Sequence, residues 1–417
     1  MAGNTLKVYL LGSHIGNLHI NSGRLSFRYL PSYVKQQNAL PLSATLPVQE
    51  RKFGHNKTEA FFSGLLPDEL VRKRLARYLN ISAQNTFALL AEIGGECAGA
   101  VSLYPEGTSP HQYQSSHYRI LAPEEALDLL INLEARPMMA GDGDIRISGA
   151  GAQEKLVIAF ADGKIAIPRG NTPSTHIIKP PIKGLQESVF NEYFCMRLAK
   201  ETGLPTAEAS IYPLEGTFFY LTKRYDRVTD ASKTIRLHQE DFCQAMGIPP
   251  HHKYENEGGP NLVACFDLLD SFIKKGQMPG AEKRKLLQGV IFNYLIGNGD
   301  AHAKNFSLLY RGEAVFLAPF YDLLCTVVYA NAYKTKMAMK IGGQYKFRDV
   351  GERHFHALAE KLGMKPDFVE KELKTMAAAL PKKAAELASE LQELPGLKAD
   401  IYKDILKVIH NHCRHYA

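Results

Sequence analysis

No stretch of the 417-residue chain is long and apolar enough to span a bilayer, and its first residues lack the pattern of a secretory signal, so no membrane partner is expected. The six cysteines (Cys97, Cys195, Cys243, Cys265, Cys325 and Cys413) are scattered, and no CxxC pair occurs among them. That argues against a disulfide framework and a thiolate metal centre, and for a reducing cytoplasm. Internal repeats and low-complexity tracts are also missing. Charge of one sign is only mildly in excess: a formal +7 permits binding to nucleic acid or an acidic partner but is commonly no more than a solvated surface. What is present, 45% hydrophobic and 22% charged residues, is enough for two or three domains around a large core.

The texture changes twice along the chain. Residues 1–106 read as a small α+β unit, with strands expected over 7–11, 25–29 and 98–104 and helical spacing over 69–79. Leu25, Phe27 and Tyr29 alternate with Ser26 and Arg28, as in a half-buried strand. Residues 105–118, rich in Ser, Gly, Pro and Gln, read as a linker or exposed loop. Residues 107–227 follow as a strand-rich region, including a strand-like stretch over 144–147, and 228–417 as an almost entirely helical one. The expected class is α+β, with a strand-rich lobe before a helical lobe.

The helical region is interrupted by the most informative stretch of the chain. Asp300 and Asn305, with four residues between them, stand directly before an apolar strand that Arg311-Gly312-Glu313 turns back along Ala314-Val315-Phe316-Leu317, after which comes Tyr321-Asp322. Antiparallel hairpin strands begin and end on one side, so Asn305 and Asp322 should converge, with Asp300 on the same loop. An Asn and an Asp offer hard oxygen ligands for Mg2+, and a further Asp can orient or deprotonate a hydroxyl. The spacing is that of a protein-kinase catalytic loop followed by a metal-binding Asp, which is a phosphoryl-transfer site using ATP.

The strand-rich region carries the complementary parts. Ser148-Gly149-Ala150-Gly151-Ala152-Gln153-Glu154-Lys155 precedes a strand over 156–160, and its glycines would let backbone amides approach phosphates; by itself this is a weak sign, since most such turns are only turns. A strand ending at Lys179 is followed by a helix over 187–200. On it Glu192 falls in an apolar stripe with Val189, Met196 and Ala199. A carboxylate there needs a cation, and Lys179 is the candidate, in the pairing kinases use at the α- and β-phosphates. After a strand over 217–222, Lys223-Arg224-Tyr225-Asp226-Arg227 falls where a hinge reading adenine is expected.

Together these segments resemble the HipA family of bacterial toxin kinases. The resemblance rests on Asn298-Gly299-Asp300-Ala301-His302-Ala303-Lys304-Asn305-Phe306-Ser307, Tyr321-Asp322, Gly151-Ala152-Gln153-Glu154-Lys155, His176-Ile177-Ile178-Lys179 and Asn191-Glu192-Tyr193. It extends to Lys223-Arg224-Tyr225-Asp226-Arg227, Gln239-Glu240-Asp241, Lys253-Tyr254-Glu255 and Gly258-Gly259-Pro260. The amino-terminal unit joins it through Pro41-Leu42-Ser43, Phe61-Phe62-Ser63-Gly64-Leu65-Leu66-Pro67-Asp68 and Gly99-Ala100-Val101. Nearly the whole chain is covered.

The resemblance implies a two-lobed protein-kinase-like (phosphoinositide-kinase-like) fold with an extra amino-terminal subdomain and an all-helical carboxyl lobe. It implies a serine/threonine protein kinase using ATP and Mg2+, arresting growth by phosphorylating a translation component, typically an aminoacyl-tRNA synthetase. A HipB-like helix-turn-helix antitoxin would neutralise it and bind operator DNA with it. By position, Asp300 resembles the catalytic base, and Asn305 and Asp322 the metal ligands. Lys179 resembles the phosphate-binding lysine, with Glu192 its helix partner. Gly149, Ala150, Gly151, Ala152 and Gln153 resemble the phosphate loop, Lys223 and Tyr225 the hinge, and Ser148 the family's autophosphorylated serine. His302 and Lys304 lie within the catalytic loop and could touch phosphate, although His302 could equally brace the loop.

Departures from ordinary kinases matter as well. Asn298-Gly299 replace His-Arg before the base, Leu323 replaces the Phe after the metal-binding Asp, and no Ala-Pro-Glu segment follows. Control by an activation-loop phosphothreonine is therefore not expected; the loop beside Ser148 is the expected switch. His410, His412, Cys413 and His415 suggest a frayed terminus more than a metal site. Lys371, Lys374, Lys382 and Lys383, interleaved with Glu370 and Glu372, suggest a solvated helix face rather than a DNA-binding one. A small-molecule or lipid kinase and a non-catalytic co-repressor remain as alternative classes.

Overall fold

Alternation in the first thirty residues becomes a four-stranded antiparallel sheet in the computed structural model, which describes residues 3–108, 110, 117–141, 145–161, 163–230, 233–329 and 335–416. Its strands lie in the order Arg24–Tyr29, Ser13–Asn21, Thr5–Leu10, Val101–Pro105. Leu25, Phe27 and Tyr29 are buried while Arg24 and Arg28 face water, as the period of two requires. One face packs on the helices His55–Gly64 and Thr86–Ile93, with Phe27, Phe53, Phe61 and Phe62 in the core. The last strand begins at Val101, later than its apolar run suggested. Gly99 stands at φ +69°, and a Cβ there would lie 2.7 Å from the Gln239 amide nitrogen, so that backbone makes a turn instead of a strand.

This sheet belongs to the first of two compact units, Met1–Pro180 with Thr222–His251 and Ser307–Val315. A second antiparallel set in the same unit runs His117–Ile120, Lys164–Arg169, Leu156–Ala161, His176–Lys179. Of the strand-like stretch at 144–147, Asp144 lies outside the described residues, as do 109 and 111–116 of the expected linker. Ile147 makes a single bridge to Glu96, so no strand forms there. In the same unit His238–Asp241 pairs with Ser307–Arg311, the first strand of the expected hairpin; its return strand is Ala314–Leu317.

A buried ionic cluster ties the unit together. Arg224 binds Asp226 through Nε (2.9 Å) and Nη2 (2.8 Å), Arg227 reaches Glu96 at 2.7 Å, and Asp226 accepts the Gly99 N–H at 2.7 Å. Burial alone would raise the Glu96 carboxyl, but Arg227, Arg224 and Arg236 outweigh it and hold it down at about 2.

The second unit comprises Pro181–Leu221, His252–Phe306 and Phe316–Ala417. Helices Ser188–Glu201, Leu262–Lys274, Ala281–Leu295, Glu352–Lys361, Pro366–Glu393 and Ile401–Cys413 dominate it. The expectation of an all-helical carboxyl lobe needs correction. Besides the hairpin at Ser307–Leu317, residues from 228 onward form strands Lys233–Arg236 and His238–Asp241, and a further hairpin, Lys336–Ile341 with Gln344–Lys346. Its turn is Gly342-Gly343, both at positive φ, as a two-residue hairpin turn demands. Met337, Ala338 and Met339 are buried in succession, so no alternation announced the strand.

The frayed terminus is also corrected. Cys413 and Tyr416 are buried, the Tyr416 and Tyr294 hydroxyls are 2.9 Å apart, and His412 stacks on Phe347 at 5.2 Å. Lys374 bonds Glu370 at 2.7 Å, in keeping with a solvated face. All six cysteines are reduced and buried, and no described helix is long and apolar enough to cross a membrane.

Candidate active site

The loop after the Ala281–Leu295 helix is fixed by its own polar side chains. Asn298 donates to Asn293 Oδ1 at 2.7 Å and accepts the Asp300 N–H at 3.1 Å, while the Gly299 N–H bonds Thr326 Oγ1 at 2.7 Å. The Asp300 carbonyl then accepts the His302 N–H (2.8 Å) and the Asn305 side-chain amide (2.9 Å). A short turn of 3-10 helix, Ala303–Asn305, brings Asn305 back beneath Asp300. Asn298 thus does structural work where ordinary kinases carry a histidine.

The segment around Asp322 meets this loop. Asn298 Nδ2 reaches the Asp322 carbonyl at 3.4 Å, and the Tyr321 hydroxyl donates to the Lys304 carbonyl at 2.8 Å. Asp300, Asn305 and Asp322 therefore sit on segments hydrogen-bonded to one another, as the hairpin argument required. Asp322 stands at φ +53°, an uncommon conformation for a residue other than glycine and one found at functional sites. His302 and Lys304 are buried. The Ser188–Glu201 helix is buried on nearly all sides, Glu192 included, and its Asn191 pairs with the main chain of Cys325.

In the first unit, Ser148 is 2% exposed; its hydroxyl donates to the Leu65 carbonyl at 2.5 Å and its N–H to the Glu96 carbonyl at 2.8 Å. Gly151, at φ +106°, accepts the Asp68 N–H at 3.0 Å, and Lys155 Nζ caps the Ala150 carbonyl at 2.6 Å. The positive φ itself favours glycine, and a Cβ there would lie 2.5 Å from that ammonium, which would have to shift. Gly149 is buried, and Ala150, Gly151, Ala152 and Gln153 continue the loop at its rim. Lys179 is buried at the end of its strand. Lys223 is exposed, and Tyr225 donates its hydroxyl to Gln239, whose amide reaches Asp226 at 3.3 Å.

Among the described residues no group of three or more His, Cys, Asp or Glu could hold a metal by itself. An amide oxygen from Asn305 and a carboxylate from Asp322 fit magnesium, which keeps waters and commonly takes one or two protein ligands plus phosphate oxygens. Sequence reasoning missed two contributors. Asn191 carried no role beyond its place in a motif, and Tyr254, whose hydroxyl donates to Asp300 Oδ1 at 2.7 Å, lies too far along the chain for spacing to reveal it.

Two family models match the chain. Residues 6–104 match the HipA N-terminal domain and residues 147–384 the HipA-like C-terminal domain. The chain is 36% identical to the putative kinase Y4mE of Sinorhizobium fredii, over 98% of this chain and 96% of that one. It is 31% identical to the serine/threonine-protein kinase toxin HipA of Shewanella oneidensis, over 95% and 93%. A solved structure of the Shewanella oneidensis HipA, HipB and operator DNA complex superposes with a TM-score of 0.85 at 28% identity, covering 99% of this chain and 97% of that one.

Proposed function

Because the chain belongs to the HipA family and is a toxin kinase of the serine/threonine type, we propose that it transfers the ATP γ-phosphate to a hydroxyl of a translation protein, an aminoacyl-tRNA synthetase. The observation that carries this reading is the hydrogen-bonded assembly of Asp300, Asn305 and Asp322 in one unit. Asp300 accepts the proton of the acceptor hydroxyl, the new O–P bond forms as the bond to the β,γ-bridging oxygen breaks, and ADP leaves. Asn305 and Asp322 would hold magnesium, which would supply neutralising charge at the phosphates. Gly149 to Gln153 and Lys179 receive the phosphates, Glu192 supports Lys179, and Lys223 and Tyr225 flank the adenine.

The same reading assigns the kinase lobes to 107–227 and 228–417, behind a 1–106 subdomain, and makes Ser148 an autophosphorylation site. A HipB-like helix-turn-helix antitoxin is the partner, by analogy with the Shewanella complex, and operator DNA is bound through it. The test is expression of the chain with labelled ATP in a lysate. A phosphorylated synthetase and growth arrest, both lost in Asp300→Asn, are expected; label found only in small molecules or lipid would overturn the protein-kinase reading.

A further inference from the structure

The segment Lys253-Tyr254-Glu255 with Gly258-Gly259 takes no part in the chemistry described so far, yet it is built to present one group. The Tyr254 carbonyl accepts the Glu257 N–H at 3.0 Å and the Gly259 N–H at 2.9 Å, closing a tight loop. Gly258 stands at φ +88°, and a Cβ on Gly259 would lie 2.1 Å from the His252 carbonyl oxygen, so the loop closes only with glycine there. Glu255 anchors it to the Lys336–Ile341 strand, accepting the Lys340 N–H at 2.7 Å. Two groups touch the Tyr254 ring: the His302 ring packs near-perpendicular to it at 5.1 Å, and Lys253 Nζ is 5.4 Å from its centroid. From this mount the hydroxyl donates to Asp300 Oδ1 at 2.7 Å.

We propose that Tyr254 is the positioning residue for the phosphoryl-acceptor base: its hydroxyl fixes the side-chain rotation of Asp300, engaging Oδ1 and turning Oδ2 to the incoming hydroxyl. The proposal rests on the kinase reading above. An Asp side chain turns easily about its terminal bond, so main-chain contacts alone do not orient its oxygens. The loop residues Asn298 and Asn305 hold only the Asp300 main chain, through its N–H and carbonyl. Tyr254 supplies the hydrogen bond to the carboxylate itself. A misdirected base slows transfer without weakening nucleotide binding, because the error concerns the acceptor side of the reaction.

The experiment uses the full chain with ATP and magnesium, the protein serving as its own acceptor, with ADP formation and ATP affinity measured separately. Tyr254→Phe keeps the ring and deletes only the donor. It is expected to lower the rate at saturating ATP by roughly tenfold to a hundredfold, with ATP affinity unchanged within about twofold. Placing 4-aminophenylalanine at 254 restores a donor and should return most of the rate; 4-methoxyphenylalanine, which has none, should not. A Tyr254→Phe chain with wild-type rate overturns the proposal, as does equal loss with all three side chains, which would assign the effect to ring packing. Asp300→Asn separates the two levels of inference. If it forms ADP at the wild-type rate, or if the wild type forms none, the kinase assignment itself falls. If it is inactive while Tyr254→Phe is not impaired, only the role of Tyr254 falls.

Discussion

Asn191 and Cys325 exchange two hydrogen bonds: the Asn191 amide donates to the Cys325 carbonyl at 2.9 Å, and its oxygen accepts the Cys325 N–H at 2.8 Å. Both residues are fully buried. The side-chain amide thus mimics a β-ladder partner, joining the helix that carries Glu192 to the chain three residues beyond Asp322. Asn191→Ala would leave a buried N–H and a buried carbonyl without partners. A loss of about 2–4 kcal/mol in urea unfolding is expected, along with a lower transfer rate. A variant within about 0.5 kcal/mol of wild type would show that the clamp contributes little.

Asp300→Asn and Asp322→Asn should both abolish phosphoryl transfer, for different reasons. The first removes the proton acceptor and leaves ATP·Mg affinity nearly intact; the second removes a metal ligand and weakens metal-dependent binding as well. Calorimetry with ATP in the presence and absence of magnesium distinguishes them. Equal affinity in the two variants would reject this division of roles.

A pH effect is expected from Glu240. Burial pushes its carboxyl up from the ordinary 4.5 to about 7, against hydrogen bonds from Ser43, Tyr310 and the Ala44 N–H that pull it down. The folded chain therefore holds this proton more tightly than the unfolded one, so the contribution is complete below pH 4.5 and is lost as pH rises through about 7. His238, on the same strand, is pulled down to about 4 by burial, so its contribution is present above 6.5 and lost as pH falls through about 4. Glu240→Gln isolates the first effect. The stability difference between variant and wild type should shift in the variant's favour by about 3 kcal/mol at most between pH 5 and pH 8. A difference independent of pH would contradict it.

Ser148 is expected to carry phosphate in active protein and not in Asp300→Asn, as read by mass spectrometry. Its hydroxyl is spent on the Leu65 carbonyl in a site 2% exposed, which has no room for a group bearing about two negative charges. The modified loop must leave that site and release Lys155. Trypsin should then cut after Lys155 at least about tenfold faster in phosphorylated protein, since cleavage tracks the population of the open form. Equal cleavage rates would sink the coupling between phosphate and loop release.

Much of this was legible in residue order. Alternation gave the strands around Leu25 and Phe27, and the spacing of Asp300, Asn305 and Asp322 around a hairpin gave their shared neighbourhood. What escaped was carried by long-range polar contacts. The Asp226 bond to the Gly99 N–H and the Tyr254 bond to Asp300 join residues far apart in the chain, and hydrogen bonds leave no periodicity to read. The Lys336–Ile341 strand escaped for another reason. Met and Ala favour helix over strand, and burial of successive residues erases alternation.

The first unit has a consequence for how the chain is made. Its last pieces are Thr222–His251 and Ser307–Val315, and the strand His238–Asp241 has its partner only at Ser307–Arg311. A ribosome that has delivered the first 180 residues has therefore not delivered a foldable unit. At about 5–20 residues per second, roughly ten seconds pass before residue 315 emerges. Until then Tyr310 is absent, and Glu240, once made, waits for the hydroxyl that donates to it in the folded chain. Synthesis speed across residues 180–315, and any chaperone that shields the waiting strands, thus bear on the yield of folded toxin as directly as any side chain in the site.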